Sequence, residues 1–258
     1  MREYTTRLLT GDALGVQEAA ALLRAGELVG IPTETVYGLA ANALDGGAVS
    51  RIFTAKGRPQ DNPLIVHIAG LEELPPLVAE IPELAKKLAK AYWPGPLTMI
   101  FRKSARIPDE VSAGLSTVAV RMPSHPLARA VIRAAGVPLA APSANLSGSP
   151  SPTLAAHVMA DMAGRIPAVL DGGECAVGVE STVVEGAVAA SPGMKYKHYA
   201  PKAHVVLVRG TPAAYAAFVN SHRAEPVTAM CFDGEEGALR VPYITYGRRQ
   251  DSAEQARR

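Results

Sequence analysis

The chain contains the stretch Lys56-Gly57-Arg58-Pro59-Gln60-Asp61-Asn62-Pro63-Leu64, which places two cations on a turn stiffened by glycine and proline. A second stretch, Pro142-Ser143-Ala144-Asn145, supplies small hydroxyl and amide groups. Lysine offers a compact point charge and arginine a planar fork, so the two stretches together can hold a polyphosphate and the polar edges of a nucleotide. They predict an enzyme that acts on a nucleoside triphosphate. Taken alone, Lys56 and Arg58 could also be a solvated basic turn.

Helical and strand-like segments alternate around these motifs, which predicts an α/β domain with a mixed sheet over residues 1–185. Apolar spacing predicts helices at residues 16–25, 48–55, 82–92, 126–135 and 153–163, the last of them capped by Thr153. Short apolar runs predict strands at residues 28–31, 64–68, 97–101, 117–121, 137–141, 168–170 and 177–184.

The character of the sequence changes after residue 185. Residues 186–202 are dense in turn formers, cations and aromatic rings, and we interpret them as a functional linker or lid. Residues 203–258 predict a second, smaller α/β domain, with strands at 204–208, 227–232 and 241–245 and a helix at 212–221. This segment is too short to close its own core comfortably, so we expect it to lean on the first domain or to lack part of its length.

Length and charge limit the classes of function open to the chain. Its 258 residues, 48% of them hydrophobic, suffice for one good core, or for one large domain with a small appendage. A net charge of only +2 means that any anion site must be local. Cys175 and Cys231 lie far apart without metal-binding spacing, so we expect neither a zinc site nor a disulfide framework. We find no targeting segment and no run of membrane-spanning length, and expect a cytoplasmic protein without membrane contact.

Polar side chains follow the predicted strands, where the sheet of an α/β protein opens its crevice. Thr33-Glu34-Thr35-Val36-Tyr37-Gly38 comes after the strand at 28–31 and offers two hydroxyls, a carboxylate and a phenol. A capped helix start, with Thr33 as the N-cap and Tyr37 in the core, is the alternative for this segment.

Three further polar residues lie on predicted strands. His67 faces away from Ile68, and a lone histidine on a strand is more often structural than catalytic, although the basic turn just before it favours contact with a substrate. Arg121 ends an apolar strand and could be a surface residue or a clamp for a carboxylate. Ser181 stands in the middle of a predicted strand, where a polar group needs a partner.

Six segments, in the same order, resemble the YrdC-like domain of threonylcarbamoyl-AMP synthases and the linker of their two-domain form. They are Thr33-Glu34-Thr35-Val36-Tyr37-Gly38-Leu39; Lys56-Gly57-Arg58-Pro59 with Asn62-Pro63-Leu64; Trp93-Pro94-Gly95-Pro96-Leu97-Thr98; Ala141-Pro142-Ser143-Ala144-Asn145; Glu180-Ser181-Thr182-Val183; and Ser191-Pro192-Gly193-Met194 with His198-Tyr199-Ala200-Pro201. They are spread over residues 33–201, which is most of the chain.

The resemblance implies a fold and a reaction. The fold is a twisted open α/β sheet of the YrdC-like type with a concave, positively lined cavity, followed by a small Rossmann-like domain. The reaction joins L-threonine, bicarbonate or CO2, and ATP into threonylcarbamoyl-adenylate and pyrophosphate, with Mg2+ as the metal. A downstream tRNA threonylcarbamoyl-transferase complex would use the product, and RNA itself is a further candidate partner.

The resemblance also implies roles for individual residues. The set on the nucleotide and its phosphates comprises Lys56, Arg58, Ser143 and Asn145. Asn62, Thr117 and Ser151 match further nucleotide contacts, and Tyr199 of the linker reaches over the cavity. Thr35, His67, Arg121 and Ser181 match positions around L-threonine, with Arg121 as the partner of its carboxylate. No residue of the chain is assigned to a metal.

The sequence departs from the family in two places, and other functions are open to it. Between Glu185 and Ser191 the family carries more chain, including an arginine that contacts the nucleotide, and the sequence also ends soon after Arg249. A double-stranded RNA or tRNA binding module without catalysis is the alternative function, which the low net charge weakens. Carbamoyl-adenylate chemistry of the hydrogenase-maturation type usually needs zinc-finger-like segments, for which two cysteines do not suffice.

Overall fold

A computed structural model describes residues 3–184 and 206–250 of the chain. It divides into two compact units, Met1–Ala200 and Pro201–Arg258. The predicted linker at 186–202, with Tyr199 and the departure after Glu185, lies outside the described residues. The predicted domain boundaries at 185 and 203 therefore stay predictions.

The first unit is built on one mixed sheet. Its strands are β1 (Arg7–Leu9), β2 (Val29–Ile31), β3 (Gly38–Asn42), β4 (Ile65–His67), β5 (Leu97–Arg102), β6 (Thr117–Arg121), β7 (Leu139–Ala140), β8 (Ala168–Leu170) and β9 (Thr182–Val184). Their order across the sheet is β1-β8-β2-β3-β7-β4-β6-β5-β9. Parallel pairs (β1 with β8, β2 with β8, β4 with β6, β5 with β9) are mixed with antiparallel ones, which confirms the predicted fold class.

Helices cover both faces of this sheet. They are α1 (Ala13–Arg24), α2 (Gly46–Lys56), α3 (Glu83–Tyr92), α4 (Asp109–Ser112), α5 (Pro126–Ala135) and α6 (Ala155–Met162). The carboxylates of Asp12 and Asp45 accept hydrogen bonds from the first turns of α1 and α2, which fixes where these helices begin. At the end of α2, Gly57 adopts a left-handed conformation (φ 61°), so that Arg58 N donates to Phe53 O and the chain turns sharply into the basic segment.

The two faces of the sheet differ in which strands contribute to a hydrophobic cluster. One hydrophobic cluster joins α2 and α6 to inward-facing residues of β4, β5 and β6, such as Val66, Met99 and Val120. The other joins α1 and α5 to β1, β2, β3, β7 and β8, and it includes no residue of β4, β5 or β6. On that second face β4, β6 and β5 carry His67, Arg121 and Thr98, which are register neighbours. The sequence therefore places polar residues on the part of this face that lies outside the second cluster.

Most predicted elements are present, and the differences have local causes. The strand predicted at 177–184 begins only at Thr182, because Val177 N and Gly178 N donate instead to the carbonyls of Glu34 and Thr35. Thr153 is not the cap of α6: the N-cap is Leu154. The segment with Thr33 is a turn and not a helix start, and it leads directly into β3, which the sequence analysis did not predict.

The second unit is a small α/β arrangement. Helix α7 (Pro212–Ser221) begins at Thr211, whose hydroxyl accepts from Ala214 N. It packs on two parallel strands, β10 (Ala229–Cys231) and β11 (Tyr243–Thr245), through a cluster that includes Ala216, Val219 and Cys231. The helix confirms the prediction, and both strands are shorter than predicted. Residues 206–208, the described part of a further predicted strand, are not a strand.

We predict that Tyr37→Phe destabilises the first unit by about 1–3 kcal/mol, because it removes two hydrogen bonds of the Tyr37 hydroxyl to the backbone, each worth about 0.5–1.5 kcal/mol. Tyr37 is fully buried. Its hydroxyl donates to Gly173 O (2.7 Å) and accepts from Gly172 N (3.1 Å). Urea unfolding followed by the fluorescence of Trp93, the single tryptophan, would measure the change. Tyr92→Phe, at a residue 59% exposed, is the matched control, and an equal midpoint for the two variants would contradict the prediction.

Candidate active site

The turn at residues 33–37 is held by its own hydroxyl groups. Thr33 Oγ1 donates to Val36 O (2.6 Å) and lies 2.9 Å from Thr35 Oγ1. Because the hydroxyl proton of Thr33 is used on Val36, the proton between the two threonines belongs to Thr35. Thr35 is fully buried, and its oxygen accepts in turn from Arg121 Nη1 (3.0 Å). The hydroxyl of Thr35, which the sequence analysis predicts to contact a substrate, is thus also part of the local hydrogen-bonded framework.

Arg121 is the centre of the polar end of the sheet. Its guanidinium donates to Glu34 Oε1 (2.7 Å), to Thr35 Oγ1 and to Gly95 O (3.3 Å), and the side chain is 4% exposed. These bonds join β6 to the turn at 33–37 and to the segment before β5. Arg121 is therefore a buried residue and not a surface one. A buried cation needs a charged or hydrogen-bonded partner, and Glu34 supplies it.

The ionisation of Glu34 follows from this pairing. Burial acts to raise the pKa of the Glu34 carboxyl, but the attraction of Arg121 and its hydrogen bond outweigh burial and lower that pKa. Glu34 is hence a carboxylate at neutral pH. Its second oxygen, Oε2, is buried and accepts no hydrogen bond within the described parts of the chain.

His67 stands beside Arg121 in the sheet, as its register partner on β4. Burial, and then the positive charge of Arg121, lower the pKa of His67 to about 3, so the ring is neutral at physiological pH. Its Nδ1 lies 3.3 Å from Ile65 O, which favours a proton on Nδ1 and leaves Nε2 as an acceptor. Such a ring can accept a hydrogen bond from a substrate but cannot act as a cation.

Ser181 completes this group from the neighbouring segment. Its hydroxyl lies 2.9 Å from Thr98 Oγ1 on β5, and Thr98 is the register partner of Arg121. The sequence analysis quoted Thr98 within a motif but did not select it. The alternation of side chains along β5 could have identified it. Thr98 is a polar residue between apolar neighbours, and it lies on the same face of the sheet as Arg121. The structure therefore brings together Thr35, His67, Arg121 and Ser181.

Lys56 organises a second group around the end of α2. Its Nζ donates to the carbonyls of Ser143 and Asn145, and its own carbonyl accepts from Ser147 N (3.0 Å). The side chain is 3% exposed. Burial, with a further contribution from Arg58, lowers the pKa of the Lys56 ammonium to about 7. Two of the three ammonium protons are used on the loop at 143–149, and one remains for a ligand.

The loop at 143–149 is fixed from several sides. Asn145 Nδ2 donates to Leu146 O (2.8 Å) and Ser149 O (2.6 Å), which sets the orientation of the amide. Asn145 Oδ1 is buried and accepts no hydrogen bond among the described residues. Asp161 Oδ2 accepts from Leu146 N (3.0 Å). A fixed, buried acceptor of this kind suits an amino or hydroxyl group of a ligand.

Ser143 connects the two groups. It forms a β-bridge with Gly38, directly after the turn at 33–37, and its carbonyl accepts from Lys56. The neighbouring Ala144 N donates to Tyr37 O (2.8 Å). The loop that holds Lys56 and the turn that contacts Arg121 are thus parts of one hydrogen-bonded framework.

The remaining predicted nucleotide residues lie at the other end of the strands. Arg58 Nη2 donates to the carbonyls of Asn62 (3.4 Å) and Pro63 (3.3 Å), just before β4. Thr117 begins β6, and the parallel register with β4 places it level with this segment. Four residues of strand separate Thr117 from Arg121, about 13 Å. The site therefore has two ends, one basic and one around Arg121.

Two further predicted residues differ in what the structure says of them. Ser151 donates to the exposed carboxylate of Glu180 (2.5 Å), one residue before Ser181. Tyr199 lies outside the described residues.

Within residues 3–184 and 206–250 there is no group of three acidic, histidine or cysteine side chains that could hold a metal ion. No helix in the described parts is long and apolar enough to cross a membrane.

Comparisons with known proteins identify the family of the chain. A family model described as "Telomere recombination", of the Sua5, YciO and YrdC proteins, matches residues 21–193. A model described as "Threonylcarbamoyl-AMP synthase, C-terminal domain" matches residues 163–258.

Similar proteins carry matching names. The threonylcarbamoyl-AMP synthase of Pyrococcus abyssi is 49% identical over 231 residues, which cover 76% of this chain and 68% of that protein. The one of Bacillus subtilis is 43% identical over 286 residues, covering 96% and 82%. These 286 positions exceed the 258 residues of this chain, so that relative carries residues without a counterpart here.

The crystal structure of Pyrococcus abyssi Sua5 complexed with L-threonine superposes with a TM-score of 0.90 at 40% identity, covering 98% of this chain and 86% of that one. The fold is therefore of the YrdC-like α/β class. The chain belongs to the threonylcarbamoyl-AMP synthase family, in its two-domain form.

We predict that the free energy of unfolding of the wild-type first unit, minus that of the Lys56→Met variant, increases as the pH rises from about 7 to 10. The pKa of Lys56 is about 7 in the folded protein and ordinarily 10.5, so over this range the unfolded chain binds more protons and each step in pH favours folding. Urea unfolding at pH 7 and pH 9, followed by Trp93 fluorescence, measures the difference.

Lys90→Met, at an exposed lysine of α3, is the control for a lost surface charge. A Lys56→Met variant whose free energy of unfolding changes with pH in parallel with the wild type would contradict the lowered pKa.

Proposed function

We propose that the chain condenses L-threonine, bicarbonate or CO2, and ATP into threonylcarbamoyl-adenylate and pyrophosphate. The observation that carries this proposal is the two-ended site. Arg121 is bound to the turn at residues 33–37. The β-bridge of Ser143 with Gly38, directly after that turn, and the bond from Lys56 Nζ to Ser143 O connect this end to the basic end. An arginine at one end suits the carboxylate of an amino acid, and the cations at the other suit a triphosphate. The names of the similar proteins support the same reaction.

The reaction needs positioning and charge neutralisation more than a covalent nucleophile. The amine of threonine adds to CO2 with loss of a proton, or to bicarbonate with loss of water, and forms a carbamate. A carbamate oxygen then bonds to the α-phosphorus of ATP and displaces pyrophosphate. Lys56 and Arg58 would neutralise the charge that grows on the phosphates. The hydroxyl of Ser143 and the amide oxygen of Asn145 would hold the nucleotide, and Asn62, Thr117 and Ser151 would add contacts to it.

Mg2+ fits this site as the complex with ATP. The described residues offer no cluster of three ligands for a metal, and Mg2+ in nucleotide sites is commonly held by phosphates, water and at most one or two carboxylates. When bound, the ion would add positive charge at the phosphates. Lys56 and Arg58 remain the cations that the chain itself provides.

The L-threonine end would be formed by Thr35, His67, Arg121 and Ser181. Arg121 would pair with the carboxylate of the substrate, and neutral His67 can accept a hydrogen bond from the substrate's hydroxyl group. Tyr199, in the linker, would extend over the nucleotide. The linker would act as a lid that keeps water away from the mixed anhydride. The product would pass to a tRNA threonylcarbamoyl-transferase complex in the cytoplasm, and direct contact with RNA remains a prediction that filter binding with tRNA can test.

We predict that purified protein releases pyrophosphate from ATP and Mg2+ only when both L-threonine and bicarbonate are present. Arg58→Ala or Lys56→Ala should reduce the rate on the order of 10²-fold or more, because each removes a charge that stabilises the transition state. Arg106→Ala and Lys87→Ala, at exposed positions, are the matched controls. Release without threonine, or near-normal turnover of the two site variants, would refute the proposal.

We predict that single substitutions separate the two ends of the site. Ser181→Ala should raise KM for L-threonine about 2- to 10-fold and leave KM for ATP unchanged, because it removes one neutral hydrogen bond at that end. Thr117→Val should do the reverse. Initial rates with one substrate varied and the other saturating give both constants, and a shift of both KM values by Ser181→Ala would argue against two separate ends.

A further inference from the structure

Glu34 contributes a carboxylate oxygen that the framework does not use. Glu34 Oε1 accepts from Arg121, whereas the buried Oε2 accepts no hydrogen bond among the residues that the structure describes. The peptide N–H groups of Glu34 and Ser124 contribute to the lowered pKa of this carboxyl, but they do not satisfy Oε2. The side chain is only 8% exposed. A buried anionic acceptor without a partner is costly, and it indicates a site prepared for a donor.

Arg121, in contact with Glu34, has donors to spare. Three of its five N–H groups are used on Glu34, Thr35 and Gly95. Two N–H groups therefore remain without a hydrogen-bond partner among the described residues. The pair offers a cation and an anion at neighbouring positions, and this is the complement of an α-amino acid, whose carboxylate and amino groups are attached to one carbon atom.

We propose that Glu34 Oε2 binds the amino group of L-threonine while Arg121 holds its carboxylate. The inference rests on the proposed function and adds the residue that recognises the amine, the group on which the carbamate forms. It concerns binding before the new N–C bond forms. Glu34 thus has two roles, since Oε1 orients Arg121 and Oε2 contacts the substrate.

The amino group suits this oxygen better than the β-hydroxyl of threonine does. A charged amino group gains more than a neutral hydroxyl from a buried carboxylate, because charge-assisted hydrogen bonds are about twice as strong. The hydroxyl has acceptors of its own nearby in His67, whose ring is neutral, and in the pair of Ser181 and Thr98. The site would also discriminate against an acid that carries a hydroxyl in place of the amine. That acid loses the charged hydrogen bond to Glu34, and this loss matters more than any steric clash.

The test is the binding of three ligands to wild-type protein and to Glu34→Gln, by calorimetry without nucleotide. L-threonine has both groups, L-2-aminobutyrate lacks the hydroxyl, and 2,3-dihydroxybutyrate of the same configuration lacks the amine. Glu34→Gln should weaken the two amino ligands by the same factor, about 10- to 100-fold, and the hydroxy acid by no more than about threefold. Glu174→Gln, at an exposed carboxylate, is the matched control.

The alternative outcomes are distinct. An equal loss for all three ligands would mean that Glu34 acts only through Arg121, and an unchanged affinity for 2-aminobutyrate would assign Oε2 to the hydroxyl; either overturns the inference. Wild-type protein that binds neither amino ligand would overturn the proposed function as well. Unfolding monitored by Trp93 shows whether Glu34→Gln is folded. If it is not, Glu34→Asp takes its place. Its carboxylate is one methylene shorter and withdraws both oxygens, so it should weaken the two amino ligands more than the hydroxy acid, which loses only the orientation of Arg121.

Discussion

The buried ion pair of Arg121 and Glu34 is the interaction on which the polar end of the sheet depends. It joins β6 to the turn at residues 33–37, and the further bond from Arg121 to Gly95 adds the segment before β5. A guanidinium at this depth would be very costly without a carboxylate beside it, and the carboxylate would be equally costly alone. The two residues therefore require each other, and each places the other for a ligand.

Lys56 has a similar position at the basic end. Its ammonium is bound by two carbonyls of the loop at 143–149, so the charge that suits a phosphate also shapes the loop that surrounds it. Arg58 differs, because its fork reaches the carbonyls before β4 and its side chain is only half-buried. The division is consistent with a lysine that organises the site from inside and an arginine that is closer to the ligand.

A site with two ends matches the chemistry of joining an amino acid to a nucleotide. The ends are separated along β4 and β6 by the length of a short strand, and Ser143 lies in the framework between them. Two buried acceptors have no hydrogen-bond partner among the described residues, Glu34 Oε2 and Asn145 Oδ1, and they belong to this framework, one at each end. A buried acceptor without a hydrogen bond destabilises the free protein, and a bound ligand that donates to it can remove this unfavourable free energy.

The sequence alone determined the fold class, most helices and strands, and the residue types of the site. Helices α5 and α7 and strands β6 and β8 have the predicted bounds, because their apolar periodicity and terminal residues are local signals. Strand β3 (Gly-Leu-Ala-Ala-Asn) lacks the β-branched residues that mark a strand, and its pairing with β2 and β7 is a tertiary effect. Likewise, only the tertiary structure decided that Glu34 faces Arg121, 87 residues away, and that Lys56 binds carbonyls of a distant loop. Such contacts depend on which segments the sheet brings side by side, and no local pattern encodes that information.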